Sequence, residues 1–252
     1  MIIKIKTYFV ILLVCLFSIA VTADAQTLTS VEIDFANFIV KADVDLEKND
    51  VQSAENELSQ ANALLLSNQN INQNLQGHFH KVKGKFYVKD SLSTALSHFN
   101  TSLSRFSGSP SEQAKVKIFI GIAYFYANKF NTAENYFDQA KTYFLANNDQ
   151  ASFAQVINNL GILAYQNGNP GNAVTMCDQA FAINTNIGDS FEASRNQQNI
   201  NYFLNAGFSG SSNQDGNVKE IIIVNHGGGG TSGSGTTIDT SGGGTIVVRN
   251  GN

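Results

Sequence analysis

Four alanines recur down this chain at intervals that point to a stacked repeat. Ala54, Ala95, Ala133 and Ala173 are separated by 41, 38 and 40 residues. Four residues after each stand Leu58, Phe99, Phe137 and Cys177, and three further on stand Ala61, Ser102, Ala140 and Ala180. Small, large, small at helical spacing marks one side of a helix pressed against a close neighbour. A unit of about forty residues with such a face cannot bury it alone and has to stack on further units.

The rest of each unit follows suit. One copy reads Asn159-Leu160-Gly161, then Tyr165, Gly168, Ala173 and Ala180. The copy before it reads Ile120-Gly121, Tyr124, Ala133, Phe137 and Ala140. Both resemble the tetratricopeptide repeat (TPR), a helix–turn–helix unit. The resemblance covers 31–206 and implies an all-α fold, an α-solenoid of about four and a half TPR-like helical hairpins. Ile200 and Leu204 then lie on a closing half unit. The period exceeds the family's typical ~34 residues. The surplus falls between units, at Ser107-Gly108-Ser109-Pro110, Asn147-Asn148-Asp149 and Ile187-Gly188-Asp189, as in longer-period bacterial members. The family's early tryptophan is absent, since the chain has none, and so is its terminal proline. In the second unit Phe79, Val82 and Phe86 fit, but Lys83 falls where a small residue is expected. In the first unit Asp45 falls at a core position.

Local signals predict helices at 31–47, 51–66, 74–89, 91–105, 111–127, 130–146, 150–166, 170–184 and 190–206. Ser109-Pro110-Ser111-Glu112 reads as an N-cap, a proline at the first helical position and a capping-box glutamate. Asp189 with Glu192 reads the same way, and Asn169-Pro170 opens another helix. Asn49-Asp50, Lys89-Asp90 and Asn128-Lys129 sit where turns within units belong.

The two ends differ from the repeats. Residues 1–25 read as a secretory signal peptide: Lys4 and Lys6, an apolar stretch from Ile11 to Ala20, then Ala23-Asp24-Ala25 as a cleavage pattern before Gln26. The alternative is a membrane anchor, but the apolar stretch is short for a span of about 20 residues, so no stable membrane span is expected after cleavage. Cys15 follows Val14 where a lipidated cysteine needs a small neighbour, which makes it a member of the apolar stretch. Cys177 is then the one thiol of the mature chain, a small buried hydrophobe with no disulfide partner. The repeat domain occupies 26–208, and 209–252 is a flexible, Gly/Ser-rich, largely disordered tail. Within the tail, 218–224 and 245–249 are β-prone and could mediate self-association.

No catalytic constellation is legible, and the chain reads as a non-enzyme without cofactor or metal. His78 and His80 sit on opposite sides of a helix and cannot share one metal. His98 and His226 are isolated. Gly227 to Gly230 has neither the lysine nor the helix of a phosphate loop. Glu134 and Asp138, one turn apart, read as a solvated face. Charged residues make up only 14% of the chain and no long basic run occurs, which argues against nucleic acid as a partner.

What remains is the inner surface. In the family, the first helix of each unit lines a concave groove. Carried over, this places Ile118, Ile122 and Phe125, then Asn158, Ile162 and Tyr165, with His80 and Tyr87 from the second unit, along a candidate peptide-binding groove. Tyr87, Phe125 and Tyr165 form a ladder of one ring per unit, either open to a partner or packed between units. Some family members hold acidic C-termini with stacked Lys, Arg and Asn. Here Lys115 and Arg195 fall far apart in the stack, and no lysine repeats at the needed places. The groove thus suits an extended or helical peptide. The expected function is an exported protein–protein interaction scaffold of the periplasm, envelope or extracellular space. The first alternative is a structural or self-assembling surface protein that pairs its tail strands. The second is an enzyme with an unrecognised site.

Overall fold

In the computed structural model, the residues described are 28–68 and 70–208, with the backbone of 235–240 and 244–249. Over the first two segments the fold is an all-α solenoid. The helices are α1 (Ser30–Glu47), α2 (Val51–Ser67), α3 (Gln73–Tyr87), α4 (Leu92–Arg105), α5 (Pro110–Tyr126), α6 (Phe130–Ala146), α7 (Gln150–Gln166), α8 (Pro170–Asn186) and α9 (Ser190–Phe208). They pair as consecutive hairpins, α1/α2 to α7/α8, with α9 closing the stack. Successive first helices (α1, α3, α5, α7 and α9) also pack on one another, whereas successive second helices make no comparable contact among the described residues. The stack therefore curves with the first helices inside.

Turn chemistry sets the hairpin ends. Asn49, Asn128 and Asn148 adopt positive φ (57°, 56° and 55°), as do Gly168 (77°) and Gly188 (79°). Left-handed residues of this kind end helices by satisfying their last carbonyls. Asp50, Ser91, Asp149 and Asn169 cap α2, α4, α7 and α8 by accepting a backbone N–H. A full capping box forms at Thr29 and Glu32. The box predicted at Ser109 does not form: its side chain makes no cap bond, and Glu112 is engaged by Lys81 and Lys115 instead.

The core explains the alanine ladder. Ala54, Ala95, Ala133 and Ala173 are fully buried. Opposite them, three glycines let the paired helices touch. A Cβ on Gly84 would stand 2.4 Å from the Phe99 ring, one on Gly121 2.6 Å from the Phe137 ring, and one on Gly161 2.8 Å from Cys177 Sγ. Gly84, not Lys83, is therefore the small residue of the second unit. Helix α3 ends three residues after its glycine, whereas α5 and α7 run five residues past theirs. The repeat phase accordingly slips by one residue in this unit. In the first unit the fully buried Ala42 takes the small position. Asp45 is only partly covered and faces Lys48 at 3.7 Å.

The tail backbone forms one antiparallel hairpin, β1 (Gly235–Thr240) with β2 (Gly244–Arg249), pairing Ile238 with Ile246. The β-prone run 245–249 lies in β2, but its strand partner comes from the Gly/Thr-rich segment that was expected to be a linker. The other β-prone run, 218–224, lies outside the described residues, as do 1–25.

Candidate functional site: the inner helical face

The slip in the second unit changes which residues face inward. Counting from the paired glycines, His78, Lys81 and Lys85 are the counterparts of Lys115, Ile118 and Ile122, and of Gln155, Asn158 and Ile162. One residue turns a helix by about 100°, so His80 and Tyr87 leave the inner stripe. They meet α4 instead. His80 Nδ1 lies 3.1 Å from His98 Nδ1, and the Tyr87 ring stacks on His98 at 5.8 Å. Burial, then the neighbouring His98, lowers the His80 pKa to about 4, so it is neutral at neutral pH.

The inner residues of α1, α3 and α5 build an ionic cluster. Lys85 is almost wholly buried and paired with Asp43 of α1. Lys81 donates to Glu112 Oε2 at 3.0 Å, and Lys115 to Glu112 Oε1 at 2.9 Å. His78 Nδ1 lies 3.9 Å from Glu112, with its ring edge-on to Phe106 at 5.0 Å. Burial and the adjacent Lys81 push the His78 pKa down to about 3. Burial alone would raise the Glu112 carboxyl, but Lys81, His78 and Lys115 together hold it far below the usual range. The cluster thus gathers three lysines, Asp43 and Glu112 around an imidazole that is neutral at neutral pH. The lysines that looked scattered in the sequence are brought together by the slip.

The middle of the stripe is apolar and closed. Ile118, Ile122, Phe125 and Ile162 are buried. Phe125 was expected to offer a ring face; it packs on Phe130 and against Tyr126 within its own hairpin. Tyr165 is half-buried, stacked on Phe203 at 4.6 Å and edge-on to Tyr202 at 5.6 Å. Burial, with Tyr202 beside it, raises its phenol pKa to about 12. The expected open ladder of rings is thus divided among packing contacts: Tyr87 and Phe125 within their hairpins, and Tyr165 between units.

The far end is rich in amides. Asn158, fully buried, accepts through Oδ1 from Asn196 and Asn199 of α9, both at 2.9 Å, and from Cys177 Sγ at 3.4 Å. Asn184 donates to Asn196 Oδ1 at 2.7 Å. Arg195 and Glu192 are buried together at 3.1 Å. Asn196 and Asn199 were not singled out from the sequence, and Glu192 was read there only as a capping-box residue with Asp189. The Asn-rich composition of α9 was the signal available, but only the fold shows that these residues converge on Asn158.

Fold and face together define a class, the stacked helical-repeat proteins. No protein-family model matches the chain, and no curated protein does. Among solved structures it is similar to BtubC (BKLC) from P. vanneervenii, at 19% identity over 72% of this chain and 85% of that one, with a TM-score of 0.50. It is also similar to the Rap conjugation gene regulator of the plasmid pLS20, solved in complex with the Phr* peptide. That identity is 16% over 76% of this chain and 65% of that one, with a TM-score of 0.54. At such identities the likeness establishes the fold. Among the described residues no helix is long and apolar enough to cross a membrane, and no three His, Cys, Asp or Glu side chains converge to hold a metal.

Proposed function

We propose that this chain is a tetratricopeptide-type scaffold, exported after loss of residues 1–25, that holds a segment of a partner protein or peptide on its inner helical face. The observation that carries the proposal is the polarity of that face. Packing alone would be served by apolar residues at the inward positions. The chain instead puts His78, Lys81, Lys85, Lys115, Gln155 and Asn158 at six of the nine positions, with Ile118, Ile122 and Ile162 at the other three, and Glu112 bonds the lysines there. Charged and amide groups on an inner helical layer suit recognition of a polar chain. The pLS20 regulator, a protein of similar fold, was solved with a peptide bound, which supports a peptide as the kind of partner. Affinity capture from native envelope material with the full-length protein tests this, and the N-terminus of the recovered chain tests export. A specific partner and an N-terminal Gln26 are expected; a cytoplasmic chain still starting at Met1 sinks the exported reading.

A second reading, self-assembly through the tail, is favoured by the β1–β2 hairpin, because a sheet with only two strands among the described residues has pairing edges on both sides. Mass measurements with and without 209–252 separate the two. A scaffold has the same mass state in both forms apart from the deleted residues, and an assembling protein dissociates on truncation.

A further inference from the structure

We infer that the N-terminal end of the stack is a docking surface for a second copy of this chain, formed by Ile33, Asn37, Val40 and Val44 of α1 and closed about a two-fold axis. In each first helix the residues five and two before the small position turn toward the preceding unit. Phe79 meets Phe35 there at 5.6 Å, and Lys85 Nζ stands 5.2 Å over the Phe119 ring. Asn196 and Asn199, placed the same way in α9, reach Asn158. In α1, counted from Ala42, these positions are Asn37 and Val40, and Ile33 and Val44 extend the stripe by one turn at either end. No described helix precedes α1. Where Phe79 and Phe119 are buried, Ile33 is 39% exposed and Val40 and Val44 are only half-buried.

A stack of repeats needs polar outer faces at its ends to stay single. The far end meets that condition. The side of α9 that a following helix would cover carries Ser194, Gln197, Asn201 and Asn205, with Leu204 at its margin. The near end does not meet it. Stacking head to tail would set Val40 and Val44 of one copy against those polar side chains and grow without closing. Pairing two N-terminal ends buries apolar surface on apolar surface and closes as a dimer. The edge of the stripe agrees. Asp34 and Lys41, both exposed, border it on one side, two helical turns apart. With two α1 helices antiparallel about an axis near Phe38, Ile33 of one copy lies over Val44 of the other, Val40 over Asn37, and Asp34 beside Lys41, each contact made twice. The stripe is turned about 90° from Asp43 on the inner face, so the dimer does not depend on the partner proposed for that face.

Sedimentation velocity of the full-length protein, as it stands and after removal of residues 1–25, tests this. A dimer that dissociates on dilution is expected. Val40→Glu should weaken it about tenfold or more, and so should Asp34→Lys, because like charges then meet twice. Adding Lys41→Asp to Asp34→Lys should restore the dimer, which a variant that merely misfolds does not do. Monomers at every concentration in both forms overturn the proposal. A dimer that these substitutions leave intact overturns it as well, since its contact then lies elsewhere, as in the tail. A dimer lost with residues 1–25 assigns the contact to that segment and overturns it too.

Discussion

Gly84 lies beneath the ring of Phe99, so close that a Cβ added to it would stand 2.4 Å from a ring carbon. This contact fixes the register of the second unit and hence which of its side chains look inward. The Phe99 ring is fully buried and has no room to withdraw. Gly84→Ala should destabilise the protein by about 1–3 kcal/mol, the usual cost of overpacking. Gly108→Ala, where nothing lies within 4 Å of the new carbon, should not. Urea midpoints of the two variants check this; equal midpoints would return the register to Lys83.

The ring ladder gives a graded expectation. Phe125 is 7% exposed, and Phe125→Ala should cost about 3–5 kcal/mol of folding stability. Tyr87 is only half-buried, and its stack on His98 is worth about 0.5–1.5 kcal/mol beyond area, so Tyr87→Ala should cost clearly less. Thermal melts rank the two, and the reverse order would put Phe125 back on an open face.

Lys85 and Asp43 tie the first unit to the second. Removing one partner of a buried pair strands the other, at a cost of about 3–5 kcal/mol, whereas replacing both by apolar residues is often neutral. Asp43→Leu alone should therefore destabilise strongly, and adding Lys85→Met should recover most of the loss. A double mutant no more stable than the single one would show that the pair does not set the unit interface.

Acid should loosen the protein in two stages of the same sign. His78 is held at about 3 against an ordinary 6.5, so the unfolded chain takes up its proton first and stability falls as pH drops from 6.5 toward 3. The Glu112 carboxyl is depressed below its ordinary 4.5. Its contribution is complete above 4.5 and is lost as pH falls through its folded value. Melting temperatures between pH 7 and pH 4 should decline. His78→Gln should make the upper part of the curve shallower, leaving the share of His80, which is also depressed, and the decline below 4.5. A wild-type melting temperature that stays flat between pH 7 and pH 4.5 would contradict the His78 assignment.

The sequence by itself determined the helices, their pairing and the buried alanines. Those features depend on local spacing, and the small residue at Ala133 needs Phe137 and Ala140 on the same side wherever the helix goes. It also placed Asn158 and Ile162 on the inner stripe, because a glycine marked the phase of that unit. The phase of the second unit could not be read locally. Lys83 and Gly84 are both compatible with an amphipathic α3, and only the Phe99 ring from the next helix decides between them. That one-residue difference moved His80 and Tyr87 off the inner face and brought in Lys81 and Lys85. The meeting of Asn196 and Asn199 with Asn158, some forty residues away along the chain, was likewise decided by how consecutive units stack. Helical periodicity is encoded within a few residues, but the angle at which one unit meets the next is set by side-chain volumes contributed from both.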